Sequence, residues 1–237
     1  MGVIKTKGII LAQSNMGDND KMVTILTPDL GKIGCAAKGA RRPKSSLMAG
    51  TQFLCFADFI IYKGVNSYKI NSCEPIEIFY NIRLYIEKLD YASRVAKIVN
   101  DVTKENQSSY KVLQLVLNTI YMISESDKNL ELVLSIFKIR LLSLIGFRPI
   151  IEHCTNCDEK DNIKYFSFKE NGFKCASCGK QDKSAVEISD ATQKALKFII
   201  WADSKKIFSF EMSNDNIKQL ALISKIYLNN CLEKEYN

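Results

Sequence analysis

Two Cys-x-x-Cys pairs, Cys154/Cys157 and Cys175/Cys178, stand with 17 residues between them, and no other feature limits the fold of this chain so tightly. Each pair can pinch one ion from a tight turn, and the separation falls within the range of a four-cysteine zinc site. Residues 164–168 and 171–174 read as the two arms of a hairpin that brings the pairs together. Four thiolates close a tetrahedral shell with no position left for water, so the expected Zn2+ is structural and not catalytic. His153, the only histidine in the chain, directly precedes Cys154 and could replace one thiolate as a ligand, although adjacent residues seldom ligate one ion well. Two disulfides, or four unrelated buried thiols, would also account for the cysteines. The N-terminus has no charged-then-apolar leader, which points to a reducing cytosol, where disulfides are disfavoured.

A chain of 237 residues that is 46% hydrophobic can bury a substantial core, with room for two small domains. Its most apolar stretch, residues 130–147, is interrupted by Lys138 and Arg140, so no membrane span is expected. Thirty-three basic residues against 26 acidic ones give a net charge of +7, which suits an acidic partner. The distribution says more than the sum. Between Asp29 and Asp58 there is no acidic residue, yet Lys32, Lys38, Arg41, Arg42 and Lys44 fall inside that window. Cys35, Cys55, Cys73 and Cys231 sit in apolar or helical context and read as buried reduced thiols.

The first 78 residues carry strand signals at 7–12, 21–27, 32–37, 52–62 and 68–73, separated by turn residues. Pro28-Asp29-Leu30-Gly31 is a turn with a mechanism, since proline presets one backbone angle and glycine supplies the unusual one. A second turn spans residues 63–67. Five strands in so short a span predict an antiparallel barrel of oligonucleotide-binding type, with an open sandwich as the alternative. After Pro75 the period changes: Ile82, Ile86, Leu89, Ala96 and Val99 recur at helical steps, and residues 110–123 and 130–145 do the same. The last of these is apolar nearly all round and reads as central, ended by Gly146 and blocked by Pro149. Two more helices open at Asp190, with Gln193 completing a capping box, and at Ser213. Residues 101–109 read as a loop between helices. The expected architecture is α+β: a barrel over residues 1–78, then a helical domain over 79–237 with a zinc-binding insertion at about 151–183.

Chemistry concentrates in residues 37–46, where Lys38, Arg41, Arg42 and Lys44 form a basic loop suited to tracking a phosphate backbone. A phosphate-binding P-loop fails at this place, because Pro43 stands where a glycine amide is needed. Flat rings complement such a loop, and Phe53, Phe56, Phe59, Tyr62 and Tyr68 are available. Strand alternation buries about half of them, and Tyr62 and Tyr68, flanking the 63–67 turn, are the favoured stacking residues. With one histidine, acid–base pairs and triads have almost nothing to work with, and Asp18/Asp20 and Glu74/Glu77 lie in polar turn context. No active site is expected. On the residues alone, a zinc-containing RNA-binding or nucleic-acid-processing protein is the alternative reading.

Three N-terminal stretches carry a resemblance: Lys7-Gly8-Ile9-Ile10-Leu11, then Asp20-Lys21-Met22-Val23-Thr24-Ile25-Leu26-Thr27-Pro28-Asp29-Leu30-Gly31-Lys32, then Ala37-Lys38-Gly39-Ala40-Arg41-Arg42-Pro43-Lys44-Ser45. Together they resemble the N-terminal barrel of the RecO family of bacterial DNA repair proteins. Arg140 through Gly146-Phe147-Arg148-Pro149, the Cys154/Cys157 pair, Tyr165-Phe166-Ser167 and the Cys175/Cys178 pair resemble that family's helical domain with its zinc insertion. The resemblance implies a recombination mediator without a turnover site. Such a protein binds single- and double-stranded DNA, anneals complementary strands and recognises the acidic C-terminal tail of the single-stranded-DNA-binding protein. It works with RecR to load RecA, in the cytoplasm at the nucleoid. Carried over by position, Lys38, Arg41, Arg42 and Lys44 would contact DNA, and Cys154, Cys157, Cys175 and Cys178 would hold zinc. Lys138 and Arg140, on the central helix, are the expected cations for the partner's tail. The chain departs from the family at its end, where Cys231-Leu232-Glu233-Lys234-Glu235-Tyr236-Asn237 is mixed in charge and not basic.

Overall fold

The computed structural model describes residues 2–65 and 67–236. Met1, Asn66 of the expected turn and Asn237 lie outside the described residues. Contacts divide the chain into two compact units, residues 1–126 and residues 127–237. The barrel itself is complete by Glu77, and the three helices that follow it belong to the same compact unit.

The first unit opens with β1 (Gly2–Met16), β2 (Asp20–Thr27), β3 (Gly31–Ala37), β4 (Phe56–Lys63) and β5 (Tyr68–Glu77). They close into a barrel in the order β1-β2-β3-β5-β4. β1 is long enough to pair with both β2 and β4, and a register shift between Ile10 and Ala12 accompanies its passage from one partner to the other. The pairing of β3 with β5 is parallel and short, Cys35 opposite Tyr68 and Ala36 opposite Lys69. Ile10, Val23, Ile25, Ile33, Phe59, Ile61 and Ile70 fill the interior. This is the oligonucleotide-binding type of barrel that the strand spacing predicts.

The β2–β3 turn works as predicted, and also docks. Thr27 Oγ1 accepts from the Leu30 amide at 3.2 Å and donates to the Gly31 carbonyl at 2.9 Å. Gly31 sits at φ +69°, and a Cβ there would lie 2.1 Å from the Lys104 carbonyl oxygen. The expected 101–109 loop is shorter, since residues 101 and 102 are helical, and residues 103–109 clamp this turn, with the Asn106 amide donating to Leu30 O at 2.9 Å and the Ser109 amide to Pro28 O at 2.8 Å. One strand begins later than expected. Leu54 takes φ +63°, so residues 52–55 turn across the end of the barrel before β4 starts at Phe56. α1 (Tyr80–Leu84), α2 (Ile86–Val102) and α3 (Tyr110–Glu125) complete the unit.

The second unit is organised by α4 (Leu130–Leu144), whose flanks are buried nearly all round; Asn129 caps it by accepting from the Leu132 amide at 3.1 Å. Gly146 at φ +101° ends that run, as expected. β6 (Ile163–Ser167) and β7 (Gly172–Cys175) form the predicted hairpin, which gains two elements the sequence does not announce, α5 (Ala176–Lys180) and β8 (Ala185–Glu187) on the far side of β6. α6 (Asp190–Trp201) and α7 (Asn214–Leu232) pack on α4. The cap of α6 differs from expectation. Ser189 Oγ accepts from the Thr192 amide at 3.1 Å, while the Gln193 amide group reaches the Ile163 carbonyl at 2.8 Å and closes no capping box. Among the described residues, no helix is long and apolar enough to cross a membrane.

Candidate nucleic-acid interface and metal centre

The basic loop leaves β3 at Ala37 and is pinned before its charges are presented. The Gly39 amide donates to Asp20 Oδ1 at 2.7 Å, the Arg41 amide to Asn19 O at 2.9 Å, and the Arg42 amide closes a turn onto Gly39 O at 3.1 Å. Gly39 at φ +70° permits that turn, whereas Lys44 holds φ +61° with a side chain attached, a strained conformation that loop sites retain. Lys38, Arg41, Arg42 and Lys44 are all exposed. Arg41 also donates from Nη1 to Gly17 O at 2.9 Å, which aims its guanidinium along the β1–β2 turn.

Register decides what joins this loop. Lys21 lies opposite Ala37, one residue before the loop, and its ammonium sits 3.0 Å from Gln13 Oε1. Burial and then the neighbouring Arg41 charge push its pKa down, as expected where cations crowd. Sequence reading passes over Lys21 because it sits in a strand pattern; only the pairing places it at the loop. Lys32, counted in the same cluster by sequence, stands at the other end of β3 and donates to the Asn100 carbonyl. It is not part of the patch.

The aromatic pair is split by the sheet. Tyr62 lies opposite Lys69, which in turn lies opposite Ala36, and Tyr62 stays 39% exposed on the outer face. Tyr68 pairs with Lys63, points inward and is only 7% exposed within the barrel core. A ring enclosed there offers no face to a base, so Tyr68 is corrected from stacking residue to core residue. Phe59, 1% exposed, is core as well.

In the second unit the four cysteines converge. The sulfurs of Cys154, Cys157, Cys175 and Cys178 all lie within 4.8 Å of one another. Cys157 Sγ and Cys175 Sγ are 3.7 Å apart. A tetrahedral ion with metal–sulfur bonds of about 2.3 Å has edges of about 3.8 Å, so the donor set fits zinc in both chemistry and size. No disulfide joins these cysteines. Local structure explains the convergence. The Thr155 amide donates to Phe173 O at 2.9 Å, strapping the first pair to β7, whose last residue is Cys175; α5 then presents Cys178. Gly179 is required next to it, since a Cβ would meet the Tyr165 ring at 2.2 Å. Asn156 Nδ2 donates to Cys178 Sγ at 3.3 Å, the kind of outer support that orients a thiolate ligand. His153 directs Nδ1 to the Cys154 carbonyl at 3.1 Å and to Asp158 Oδ1 at 3.2 Å, outside the group of four sulfurs. Burial raises the Cys154 thiol, but amides of Cys175, Asn156 and Cys157 outweigh it and bring the pKa down to about 6. That group is ready to bind a metal as thiolate.

A buried ion pair braces the same hairpin. Lys174, next to Cys175, meets Asp182 at 2.9 Å, and both side chains are about nine-tenths covered, 9% and 10% exposed. Asp182 further accepts from Ser167 Oγ at 2.6 Å and from Ser184 N and Oγ at 2.8 and 2.7 Å. The Ser167 bond first, then Lys174 and Ser184, hold its carboxyl well below the usual carboxylate range. A depressed carboxyl stabilises the fold above its unfolded pKa of about 4, and the contribution fades as pH falls below that value. Asp182→Asn should cost about 2 kcal/mol by stranding the Lys174 ammonium, lowering the thermal transition by roughly 4–8 °C at pH 7. Calorimetry at pH 7 and pH 3 checks this, with a smaller difference between variant and wild type expected at pH 3.

The expected tail-binding cations lie on α4. Lys138 is 4% exposed, enclosed because α4 is covered on nearly every side, so it is not a surface charge. Arg140 donates from Nη1 to the carbonyls of Ile199, at 3.1 Å, and Ile200, fastening the end of α6.

A family model described as "Recombination protein O N terminal" matches residues 1–79, and one described as "Recombination protein O C terminal" matches residues 83–237. A DNA repair protein RecO of Acetivibrio thermocellus is 43% identical over 238 residues, covering 100% of this chain and 94% of that protein. The DNA repair protein RecO of Alkaliphilus metalliredigens is 33% identical, covering 95% of this chain and 92% of its own length. That of Thermoanaerobacter sp. (strain X514) is 30% identical, with coverages of 100% and 95%.

Proposed function

The chain belongs to the recombination protein O family of DNA repair proteins, and from that premise we propose that it is a recombination mediator that acts by binding DNA, not by turnover. In this reading the barrel, taken as residues 1–78, holds single- and double-stranded DNA through Lys38, Arg41, Arg42 and Lys44, with Tyr62 stacking on a base. The observation that carries the proposal is the pinned loop: four exposed cations on a backbone already fixed by Asp20 and Asn19. Preorganised cations lose little freedom on meeting a phosphate chain, and flat rings accept any base.

The protein anneals complementary strands, works with RecR to load RecA, and recognises the acidic tail of the single-stranded-DNA-binding protein in the cytoplasm at the nucleoid. Arg140 remains the cation for that tail; buried Lys138 does not. Zinc held by Cys154, Cys157, Cys175 and Cys178 secures the helical domain's insertion and supplies no catalysis, since four thiolates leave it no open position. The test is an annealing assay on complementary oligonucleotides coated with the single-stranded-DNA-binding protein. The zinc-loaded protein should accelerate duplex formation in a way that high salt suppresses. Pairing no faster than without the protein, at any salt concentration, would overturn the mediator reading.

A further inference from the structure

We propose that the exposed face of α6 binds single-stranded nucleic acid, separately from the barrel loop. The inference rests on the DNA-binding reading above but on none of the barrel's residues. Lys194, Lys197, Phe198 and Trp201 recur at positions i, i+3, i+4 and i+7 and are all exposed, so they form one stripe along the helix. Trp201 is 57% exposed and Phe198 37%, large values for aromatic rings with no core role at those faces.

The rings are held in place. Phe198 meets Phe210 edge-on at 5.4 Å and 77°, and the Arg148 guanidinium lies 4.7 Å from the Trp201 ring centroid. Arg140 grips the Ile199 and Ile200 carbonyls immediately before Trp201. Lys197 Nζ stands 5.9 Å from the Phe173 ring, and neither Lys194 nor Lys197 is in an ion pair among the described residues. The nearby acids include Asp190, engaged by Lys164 at 3.1 Å, Glu152, 4.0 Å from Arg148, Glu211, which follows Phe210 and is engaged by Lys128, and Asp203, beside which Lys205 and Lys206 follow. Cations therefore prevail on the stripe itself.

Interleaved cations and fixed flat rings are what a single strand requires: phosphates meet the lysines and Arg148, and bases stack on the rings whatever their identity. An acidic peptide would use the same charges but needs a concave pocket for its apolar side chains, and the exposed side of a helix is convex. A strand bound here leaves the barrel loop able to hold another, which is what a protein that pairs two strands needs.

Trp201 is the only tryptophan in the chain, so its emission reports this face alone. The experiment titrates the full-length zinc-loaded protein with unlabelled oligothymidylate at low salt while Trp201 emission is followed, with anisotropy of a labelled oligonucleotide run in parallel. A saturable quench is expected. Lys194→Ala with Lys197→Ala should raise the half-quench concentration about tenfold, and Arg41/Arg42/Lys44→Ala should leave the quench at saturation in place. Binding by anisotropy with unchanged Trp201 emission would overturn the inference and leave the proposed function standing. No binding by either readout would overturn both. A peptide of glutamate and phenylalanine that alters the emission where oligothymidylate does not would assign the face to a protein partner instead.

Discussion

In the zinc-loaded protein Cys175→Ser is expected to release the metal and lower the thermal transition by roughly 6–16 °C. Cys175 ends β7 with its sulfur 3.7 Å from that of Cys157, so its loss opens the shell at the open end of the hairpin. Structural zinc in small peptides contributes on the order of 10–16 kcal/mol, and forfeiting about a third of the smaller figure, roughly 3–4 kcal/mol, gives the stated shift for a chain of this size. Serine is nearly the same size, so the cost comes from the lost thiolate and not from a cavity. The four cysteines all lie in the second unit and the barrel core contains none of them, so the DNA binding proposed for the barrel loop should survive. Metal analysis alongside calorimetry tests this. A variant that keeps one equivalent of zinc and an unshifted transition would show that the four sulfurs are not the ligands.

The second large effect belongs to the loop. Arg41/Arg42/Lys44→Ala removes three exposed cations while keeping Gly39, Asp20 and the backbone turn that shapes the segment. Charge-assisted contacts to phosphate at about 1 kcal/mol each predict a loss of roughly 100-fold in affinity for single-stranded DNA at fixed salt. Stability should change little, because the side chains are exposed and the anchoring amides remain. Tyr62→Ala should add a smaller loss, about tenfold, at the same salt.

How much of this is legible in the sequence depends on whether a signal is local. The four-cysteine cluster is legible because cysteine spacing and turn residues are local, and the structure adds only the support from Asn156 and Gly179. The barrel is legible through its turns; the late start of β4 is not, because the left-handed conformation of Leu54 is imposed by the loop closing onto Ile10. Pairing is invisible: Tyr62 and Tyr68 flank one turn, yet register sends one ring out and the other in. Register likewise brings Lys21 to the basic loop, and the length of β3 carries Lys32 away from it. Lys138 reads as a surface charge only while the neighbours around α4 are unknown.

The central claim, that DNA lies on the pinned loop of the barrel, is tested most directly by the salt dependence of binding. Anisotropy of labelled single-stranded DNA across a salt series gives a log–log slope for the wild type and for Arg41/Arg42/Lys44→Ala. Each phosphate contact contributes about 0.7 to that slope, so the variant should bind more weakly with a slope flatter by about 2. Equal slopes and equal affinities would place the DNA elsewhere on the protein and contradict the account.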